Sequence, residues 1–109
     1  MAPVTPLTFE ILVALADEPR HGYGIIKEIE DRSGAAAAPS TGALYLALQR
    51  MEGSGLIEEA DVPDTSGDSR RRYYRLSPKG RARAEEESTR LARLLASARD
   101  KNLLAGEAS

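Results

Sequence analysis

The chain contains no cysteine and no tryptophan, and phenylalanine occurs once, at Phe9. Without cysteine it can form neither disulfides nor thiolate metal sites. The one histidine, His21, does not make a metal site by itself. No apolar run approaches the roughly 18 residues of a membrane span, and the N-terminus shows no secretory signal. These absences predict a cytoplasmic protein without a metal or cofactor.

Catalytic groupings are missing as well. No nucleophile–base pair, glycine-rich phosphate loop or set of metal ligands stands out, so we do not expect an enzyme. The 109 residues are enough for one small domain with a modest core, to which a partner subunit would add buried area. The hydrophobic content of 41% and the charged content of 29% are ordinary for a globular protein.

Charge is distributed unevenly along a chain whose net charge is −2. Residues 1–69 contain 4 Lys/Arg and 12 Asp/Glu, a balance of −8, whereas residues 70–109 contain 11 Lys/Arg and 5 Asp/Glu, a balance of +6. The sign changes within SGDSRRRYYRLSPKG, residues 66–80. Because clustered positive charge captures phosphates, this segment is a candidate for binding a polyanion.

Apolar residues at helical spacing predict three helices in the first half of the chain. The first, PLTFEILVALADEP, follows Thr5 and has proline in its first turn. The second, HGYGIIKEIEDRSG, begins with His21, Gly22 and Tyr23, which we interpret as a packing motif at a helix start. The third, PSTGALYLALQRMEGSG, has Ser40 as its N-cap. The four alanines between the second and third helices are expected to form a connector.

A β-hairpin is predicted after the third helix. LIEEADV and RRRYYRL flank a seven-residue loop rich in turn formers, and Tyr74 is expected to face the core. Three helices followed by a hairpin is the order of a winged helix-turn-helix, whose third helix enters the DNA major groove. We therefore expect a mainly α fold with a small β-hairpin. Residues 1–77 are predicted to form the DNA-binding domain and residues 78–109 a dimerisation helix and tail.

The fourth helix is predicted to run from its cap at Ser77 to about Asn102. A spacing of 4-3-4-3-4 resembles a coiled-coil seam and includes Ala84, Ser88, Leu91, Leu95, Ala98 and Asn102. No intramolecular partner is obvious for so long a helix. We therefore expect pairing of two subunits through Leu91, Leu94, Leu95 and Ala98. The run Glu85, Glu86 and Glu87 is interpreted as a solvated helix face.

Three segments resemble the PadR-like transcriptional regulators: LTFEILVALADEPRHGYGIIKEIE, PSTGALYLALQRMEGSGLIE and RRRYYRLSPKGR. They cover most of residues 6–83 in the family's order, and the C-terminal segment is similar to the compact branch with one dimerisation helix. The resemblance implies a homodimeric repressor that reads a palindromic operator in double-stranded DNA. It also implies a small aromatic or amphipathic effector that loosens DNA binding. One departure is Leu46, where the family commonly has proline.

The candidate DNA contacts lie on the third helix and on the hairpin, or wing. Backbone amides at a helix start bind phosphate, and glutamine and arginine side chains can read adenine and guanine. Guanidinium groups suit phosphate because they present a planar fork of donors. The candidate DNA-binding residues are Ser40, Thr41, Gly42, Ala43, Tyr45, Leu46, Gln49, Arg50, Arg70, Arg71, Arg72 and Tyr73. Arg75 is expected to pair with an acidic neighbour instead.

Other interpretations accompany this one. Gln49 and Arg50 stand late in the helix, where phosphate contact or ordinary surface polarity are alternatives to base reading. The acidic first part of the chain also suits a winged-helix module that binds protein or RNA without operator specificity. A bare dimerisation adaptor would not need the arginines of the wing. The small, polar and acid-free start of the third helix favours DNA.

Overall fold

The computed structural model describes residues 4–62 and 71–105, and it contains the helices and strands expected. The elements in chain order are α1 (Pro6–Ala14), β1 (Arg20–His21), α2 (Gly22–Ser33), a 3-10 turn (Ala35–Ala37), α3 (Thr41–Gly53), β2 (Ile57–Ala60), β3 (Tyr73–Leu76) and α4 (Pro78–Asp100). The predicted fold class is confirmed, because the protein is mainly helical with a small sheet and a long C-terminal helix. The functional division at residue 77 stays a prediction.

Side chains cap the start of every α-helix. The hydroxyl oxygens of Thr5, Ser40 and Ser77 each accept a hydrogen bond from the backbone N–H three residues later, at 3.2, 3.1 and 2.9 Å. At α2 the cap is an imidazole, since Nδ1 of His21 accepts from the N–H of Gly24 at 3.0 Å. Each bond satisfies an amide that has no partner inside its helix. The helix starts therefore follow from local sequence.

The sheet has three antiparallel strands in the order β1-β3-β2. Between β2 and β3, Ile57 lies opposite Leu76 and Ala60 lies opposite Tyr73. On the other side of β3, His21 of β1 lies opposite Tyr73. The sequence pattern does not predict β1, because a strand of two residues has no recognisable alternation and exists only through its pairing with β3.

The core packs α1, α2 and α3 against the inner face of the sheet. Its buried residues are Ile11, Leu12, Ala14, Leu15, Ile25, Ile29, Leu44, Ala47, Leu48, Met51, Ile57 and Tyr74. The prediction that Tyr74 faces the core is confirmed. Burial raises the pKa of Tyr74, because a phenolate is poorly solvated away from water.

The first turns of α4 pack on the rest of the protein. Gly80 is buried, and a Cβ atom on it would overlap with the carbonyl oxygen of Leu56. Ala84 is half-buried and packs against the core. α4 ends at Asp100, close to its predicted end at Asn102. No helix within residues 4–62 and 71–105 is both long and apolar enough to cross a membrane.

One glutamate of α4 departs from expectation. Glu85 and Glu86 are exposed as predicted, but Glu87 is only 6% exposed. Its carboxylate accepts two hydrogen bonds from the guanidinium of Arg90, at 2.9 and 2.7 Å. The prediction of a solvated face is therefore wrong for Glu87. The paired donors of Arg90 satisfy the carboxylate that burial would otherwise leave without water.

Candidate nucleic-acid interface

The start of α3 is open to solvent and free of acidic side chains. Ser40 caps the helix, and Thr41 and Gly42 are exposed in a first turn that carries no acidic residue. A Cβ atom on Gly42 would meet nothing within 4 Å. Unpaired N–H groups and the helix dipole favour an anion at such an end. A phosphate group can therefore approach this turn without steric or electrostatic hindrance.

The outer face of α3 exposes most of the residues of this helix that are predicted to contact DNA. Tyr45, Leu46, Gln49 and Arg50 are exposed, and Ala43 is half-buried. The buried residues of the helix occupy the opposite side, as the 3.6-residue period requires. Within the described part of the chain, no hydrogen bond or ion pair engages the guanidinium of Arg50. This face therefore presents one uncompensated cation among small, apolar and amide groups.

Tyr45 connects α3 to the start of α2. A Cβ atom on Gly22 would lie 2.5 Å from the hydroxyl oxygen of Tyr45, so the missing side chain makes room for the end of the ring. An open concavity of about 540 Å³ lies here, lined by His21, Tyr23, Tyr45, Arg71, Arg72 and Tyr74. The structure thus brings together predicted residues of α3 and of the wing.

Arg72 is held by two carboxylates. Its Nη2 atom donates to Oε2 of Glu59 at 3.0 Å and to Oε2 of Glu52 at 3.3 Å. The guanidinium carbon lies 5.5 Å from the ring centroid of Tyr74, within the range of a cation–π contact. The hydrogen bond with Glu59 is the main cause that raises the pKa of Arg72. In this structure Arg72 is engaged within the protein, and its contact with phosphate stays a prediction.

Two other predicted wing residues, Arg71 and Tyr73, lie beside β1. Nη1 of Arg71 is 3.2 Å from Nε2 of His21. Tyr73 is half-buried, and its ring meets the His21 ring edge-on with centroids 5.1 Å apart. Arg70 lies outside the described residues. β1 therefore supports the wing from the side opposite β2, which the sequence alone does not reveal.

Several positive side chains of the second half contact the protein itself. Nε of Arg75 donates to Oε1 of Glu58 at 3.0 Å, which confirms the predicted pairing with an acidic neighbour. Lys79 donates to the carbonyl of Ser54 at the end of α3 at 2.8 Å. Arg81 donates to a backbone carbonyl just beyond α1 at 2.7 Å. Cations stabilise helix C-termini. Some of the positive side chains in residues 70–109 therefore stabilise the fold and are not available for DNA.

A second groove, of about 440 Å³, lies between α3 and the N-terminal parts of α1 and α4. Leu7, Met51 and Leu56 contribute apolar surface to it. Its charged lining residues are Arg50, Lys79, Arg83 and Glu86. Arg50 therefore belongs both to the outer face of α3 and to this groove. The sequence does not indicate the groove, because its walls come from three separated helices.

The predicted dimerisation residues lie on the outer half of α4. Leu94 and Leu95 are 58% and 44% exposed, whereas Leu91 and Ala98 are half-buried. Of the described residues 88–100, none is buried. A row of exposed leucines at this spacing is suited to packing against another helix. The dimer itself stays a prediction.

Residues 11–86 match the family model described as the transcriptional regulator PadR-like family. The chain belongs to this family. Its members are transcription regulators, so the expectation of a non-enzyme is confirmed, as is the resemblance drawn from the three sequence segments. The PadR-like match covers α2, α3, the sheet and the beginning of α4, which are the elements that form the interface described above.

Solved structures share the fold of this PadR-like regulator. A PadR family transcription regulator from Clostridium difficile has a TM-score of 0.76 and 27% identity, over 88% of this chain and 97% of that chain. Bacillus subtilis PadR, solved in complex with operator DNA, has a TM-score of 0.65 over 75% of this chain and 46% of that chain. Its 19% identity shows a common fold alone.

A curated relative comes from a transposon. The 37.1 kDa protein of transposon TN4556 from Streptomyces fradiae is 40% identical over 84 residues, which make up 77% of this chain and 22% of that protein. The PadR-like chain therefore matches only about a fifth of this relative's length.

Proposed function

We propose that this regulator is a homodimeric repressor that binds a palindromic operator in double-stranded DNA. The observation that carries the proposal is the outer face of α3, which exposes Tyr45, Leu46, Gln49 and Arg50 behind an acid-free first turn. This is the face that a winged helix-turn-helix inserts into the major groove. Bacillus subtilis PadR, which has the same fold, was solved with operator DNA, and this supports the assignment.

Within the proposal, Arg50 reads a base. Its guanidinium has no internal partner among the described residues, so binding guanine would not require breaking an ion pair. Arginine can donate two hydrogen bonds to O6 and N7 of guanine, and Gln49 can pair in the same way with adenine. In the proposed complex, Ala43 and Leu46 touch thymine methyl groups. The readout thus combines two polar and two apolar side chains on one helical face.

The phosphate contacts come from two places in the proposed complex. The amides at the start of α3, at Ser40, Thr41 and Gly42, bind one phosphate, and the hydroxyl of Tyr45 reaches another. Arg70, Arg71, Arg72 and Tyr73 on the wing follow the DNA backbone. Such contacts fix the position of the protein on the duplex, whereas the bases determine the sequence.

The outer half of α4 provides the proposed dimer contact. Pairing of Leu91, Leu94, Leu95 and Ala98 with the same residues of a second copy would bury the exposed leucines. A two-fold axis between the helices relates the two α3 elements, so the operator has two equivalent half-sites. Half-sites in such complexes lie about 34 Å apart, one turn of the duplex. This symmetry is the reason for expecting a palindrome.

The regulatory part of the proposal concerns the groove of about 440 Å³ between α1, α3 and α4. Its apolar surface, bordered by three cations and by Glu86, suits a small aromatic or amphipathic compound. Because Arg50 lines the groove, an occupant would displace the proposed base-reading side chain and release DNA. Loss of the operator complex on addition of such compounds is the expected result. As a regulator of transcription, the protein would act in the cytoplasm.

Fluorescence anisotropy tests the proposed function. The protein is titrated against a duplex from upstream of its own gene and against a scrambled duplex, at several salt concentrations. We expect tighter binding to the upstream duplex, with an affinity that falls linearly with salt on logarithmic axes. Equal affinities for the two duplexes would contradict specificity for that site. Absence of binding even at low salt would favour the module that binds protein or RNA.

Replacing Arg50 with alanine tests the readout. If Arg50 pairs with a base, Arg50→Ala should weaken binding to the upstream duplex by about 1–3 kcal/mol and affect the scrambled duplex much less. Arg93→Ala is the matched control, because Arg93 is an exposed arginine on the outer half of α4. Anisotropy titrations of both variants with both duplexes measure the difference. Equal weakening of the two duplexes by Arg50→Ala would mean that Arg50 contacts phosphate.

A further inference from the structure

Three residues from separate elements meet at the base of the wing. Glu52 belongs to the last turn of α3, Glu59 belongs to β2, and Arg72 immediately precedes β3. Nη2 of Arg72 lies 3.0 Å from Glu59 and 3.3 Å from Glu52. We call these three residues the Arg72 cluster. It contains two negative charges and one positive charge, so the charge of Arg72 is more than cancelled where it lies.

Stability alone does not account for this arrangement. The side chains of Arg72, Glu59 and Glu52 are 53%, 55% and 34% exposed, and ion pairs in such surroundings contribute little to folding. Glu52 also stands near the C-terminus of α3, where a negative charge opposes the helix dipole. The larger consequence is local, because the Nη2 group that Arg72 would offer to a phosphate is already shared between two carboxylates.

We propose that Glu59 and Glu52 restrain Arg72 and thereby lower the affinity of the protein for DNA of any sequence. The inference rests on the proposed function, in which the wing lies along the DNA backbone. A phosphate that binds Nη2 of Arg72 would have to exchange with a carboxylate for that nitrogen, and both anions accept from arginine in the same geometry. Replacing a carboxylate with a phosphate on Arg72 therefore contributes little to the free energy of DNA binding.

The restraint has a consequence for sequence selection. Phosphate contacts supply affinity for every sequence, while base contacts supply the difference between sequences. Arg50 has no internal partner among the described residues, whereas Arg72 has two carboxylates. The chain thus leaves its proposed base-reading arginine available and occupies an arginine of the wing. The restraint of Arg72 therefore lowers the part of the binding free energy that is the same for every DNA sequence.

Two neighbouring glutamates of β2 offer a matched test. Glu59→Gln removes one negative charge and frees Arg72 from its closer partner. Glu58→Gln removes the same charge one residue earlier, but Glu58 pairs with Arg75, on the opposite face of the sheet from Arg72. Both glutamates are exposed. Thermal unfolding of both variants should match the wild type, which shows that the comparison is made between folded proteins.

Anisotropy titrations at several salt concentrations measure the effect. Glu59→Gln should bind the upstream and scrambled duplexes more tightly than the wild type, by roughly three- to tenfold at low salt, and Glu58→Gln should change affinity less. The salt dependence of Glu59→Gln should steepen by about 0.9 for each phosphate that Arg72 newly neutralises. Equal effects of the two variants would overturn the restraint, because release of Arg72 would then add nothing beyond the loss of one glutamate charge and the release of Arg75.

A double variant isolates Arg72. In an Arg72→Ala background, Glu59→Gln should raise affinity no more than Glu58→Gln does in the same background, because no side chain remains to be released. A Glu59→Gln effect that persists at full size without Arg72 would overturn the inference.

Elution from immobilised heparin separates this inference from the proposed function. Heparin is a polyanion without an operator, and Glu59→Gln should elute at higher salt than both the wild type and Glu58→Gln. That result supports the restraint even if no variant prefers the upstream duplex, in which case the operator proposal alone fails. Preference for the upstream duplex with identical heparin elution of both variants would overturn the restraint and leave the proposed function standing.

Discussion

The two halves of α4 share one continuous helix but have opposite surroundings. In the first half, Gly80 and Glu87 are buried and Ala84 packs against the core. In the second half, Leu94 and Leu95 are 58% and 44% exposed. Apolar side chains are thus covered where the helix lies on its own domain and uncovered where it extends beyond it. Exposed apolar side chains of this kind are suited to contact with another surface, which is the contact between subunits that we propose.

The two halves of α4 are also constrained differently, the inner half by packing within one subunit and the outer half by the proposed contact between subunits. The inner half is restricted by close backbone approach, since the Leu56 carbonyl leaves no space for a side chain at residue 80. The outer half carries no such restriction within the described chain. Changes in the inner half should therefore reduce the stability of each subunit, and changes in the outer half should reduce association between subunits.

The largest expected effect comes from a charge on the exposed leucine face. Leu95→Glu should weaken self-association by at least about 100-fold, because burying an unpaired carboxylate costs several kcal/mol. Analytical ultracentrifugation over a range of protein concentrations measures the change. Ala96→Glu is the control, since Ala96 is exposed and points about 100° around the helix from Leu95.

The circular dichroism of both variants should resemble that of the wild type. Equal association of Leu95→Glu and wild type would show that this face is not the contact between subunits. The outer half of α4 would then have no role in association.

A smaller effect is expected from a methyl group in the inner half. Gly80→Ala places a Cβ against the backbone of Leu56, and overpacking of this kind costs roughly 3 kcal/mol of unfolding free energy. Gly53→Ala is the control, because a Cβ on Gly53 meets nothing within 4 Å. Denaturant titration compares the two. Equal stability of both variants would mean that the junction between α4 and the body adjusts without cost.

The smallest effect concerns Glu87, where the two halves join. Hydrogen bonds from Arg90 lower the pKa of Glu87, so the ionised pair stabilises the folded state above the usual glutamate range. This contribution is lost as the pH falls through the lowered pKa. The difference in unfolding free energy between wild type and Glu87→Gln should therefore be largest near neutral pH and shrink on acidification.

Glu85→Gln is the matched control for that measurement, because Glu85 is an exposed glutamate of the same helix. Denaturant titrations at a series of pH values provide the data. A difference between wild type and Glu87→Gln that stays constant over the whole series would contradict a role for the charge of Glu87.

Local signals in the sequence were sufficient to predict where the helices begin. Ser40 and Ser77 were identifiable as caps because a hydroxyl followed by a helical run satisfies free amides wherever it occurs, and Pro6 after Thr5 marked the start of the first helix. The outer face of α3 followed from the helical period for the same reason. These features depend on residues within one or two turns of each other, so no knowledge of the tertiary structure is needed.

Features made by distant segments were not predictable. β1 exists only because His21 pairs with Tyr73, 52 positions later. The arginines of the wing suggested phosphate contacts, but nothing in the sequence placed Glu52 and Glu59 beside Arg72. In the sequence Glu87 is indistinguishable from Glu85 and Glu86, and its burial depends on how α4 packs against the rest of the protein. In each case the partner comes from another element, and only the fold brings the residues together.

Sedimentation velocity of the protein with the duplex from upstream of its gene shows whether two subunits bind one operator. We expect one complex with two chains per duplex, because the exposed face of α4 would pair two subunits whose α3 helices read two half-sites. Leu95→Glu should abolish that complex, whereas Ala96→Glu should form it as the wild type does. A saturated complex with one chain per duplex would show that the protein does not bind DNA as a dimer. Absence of any complex, even at low salt, would show that it is not a DNA-binding regulator.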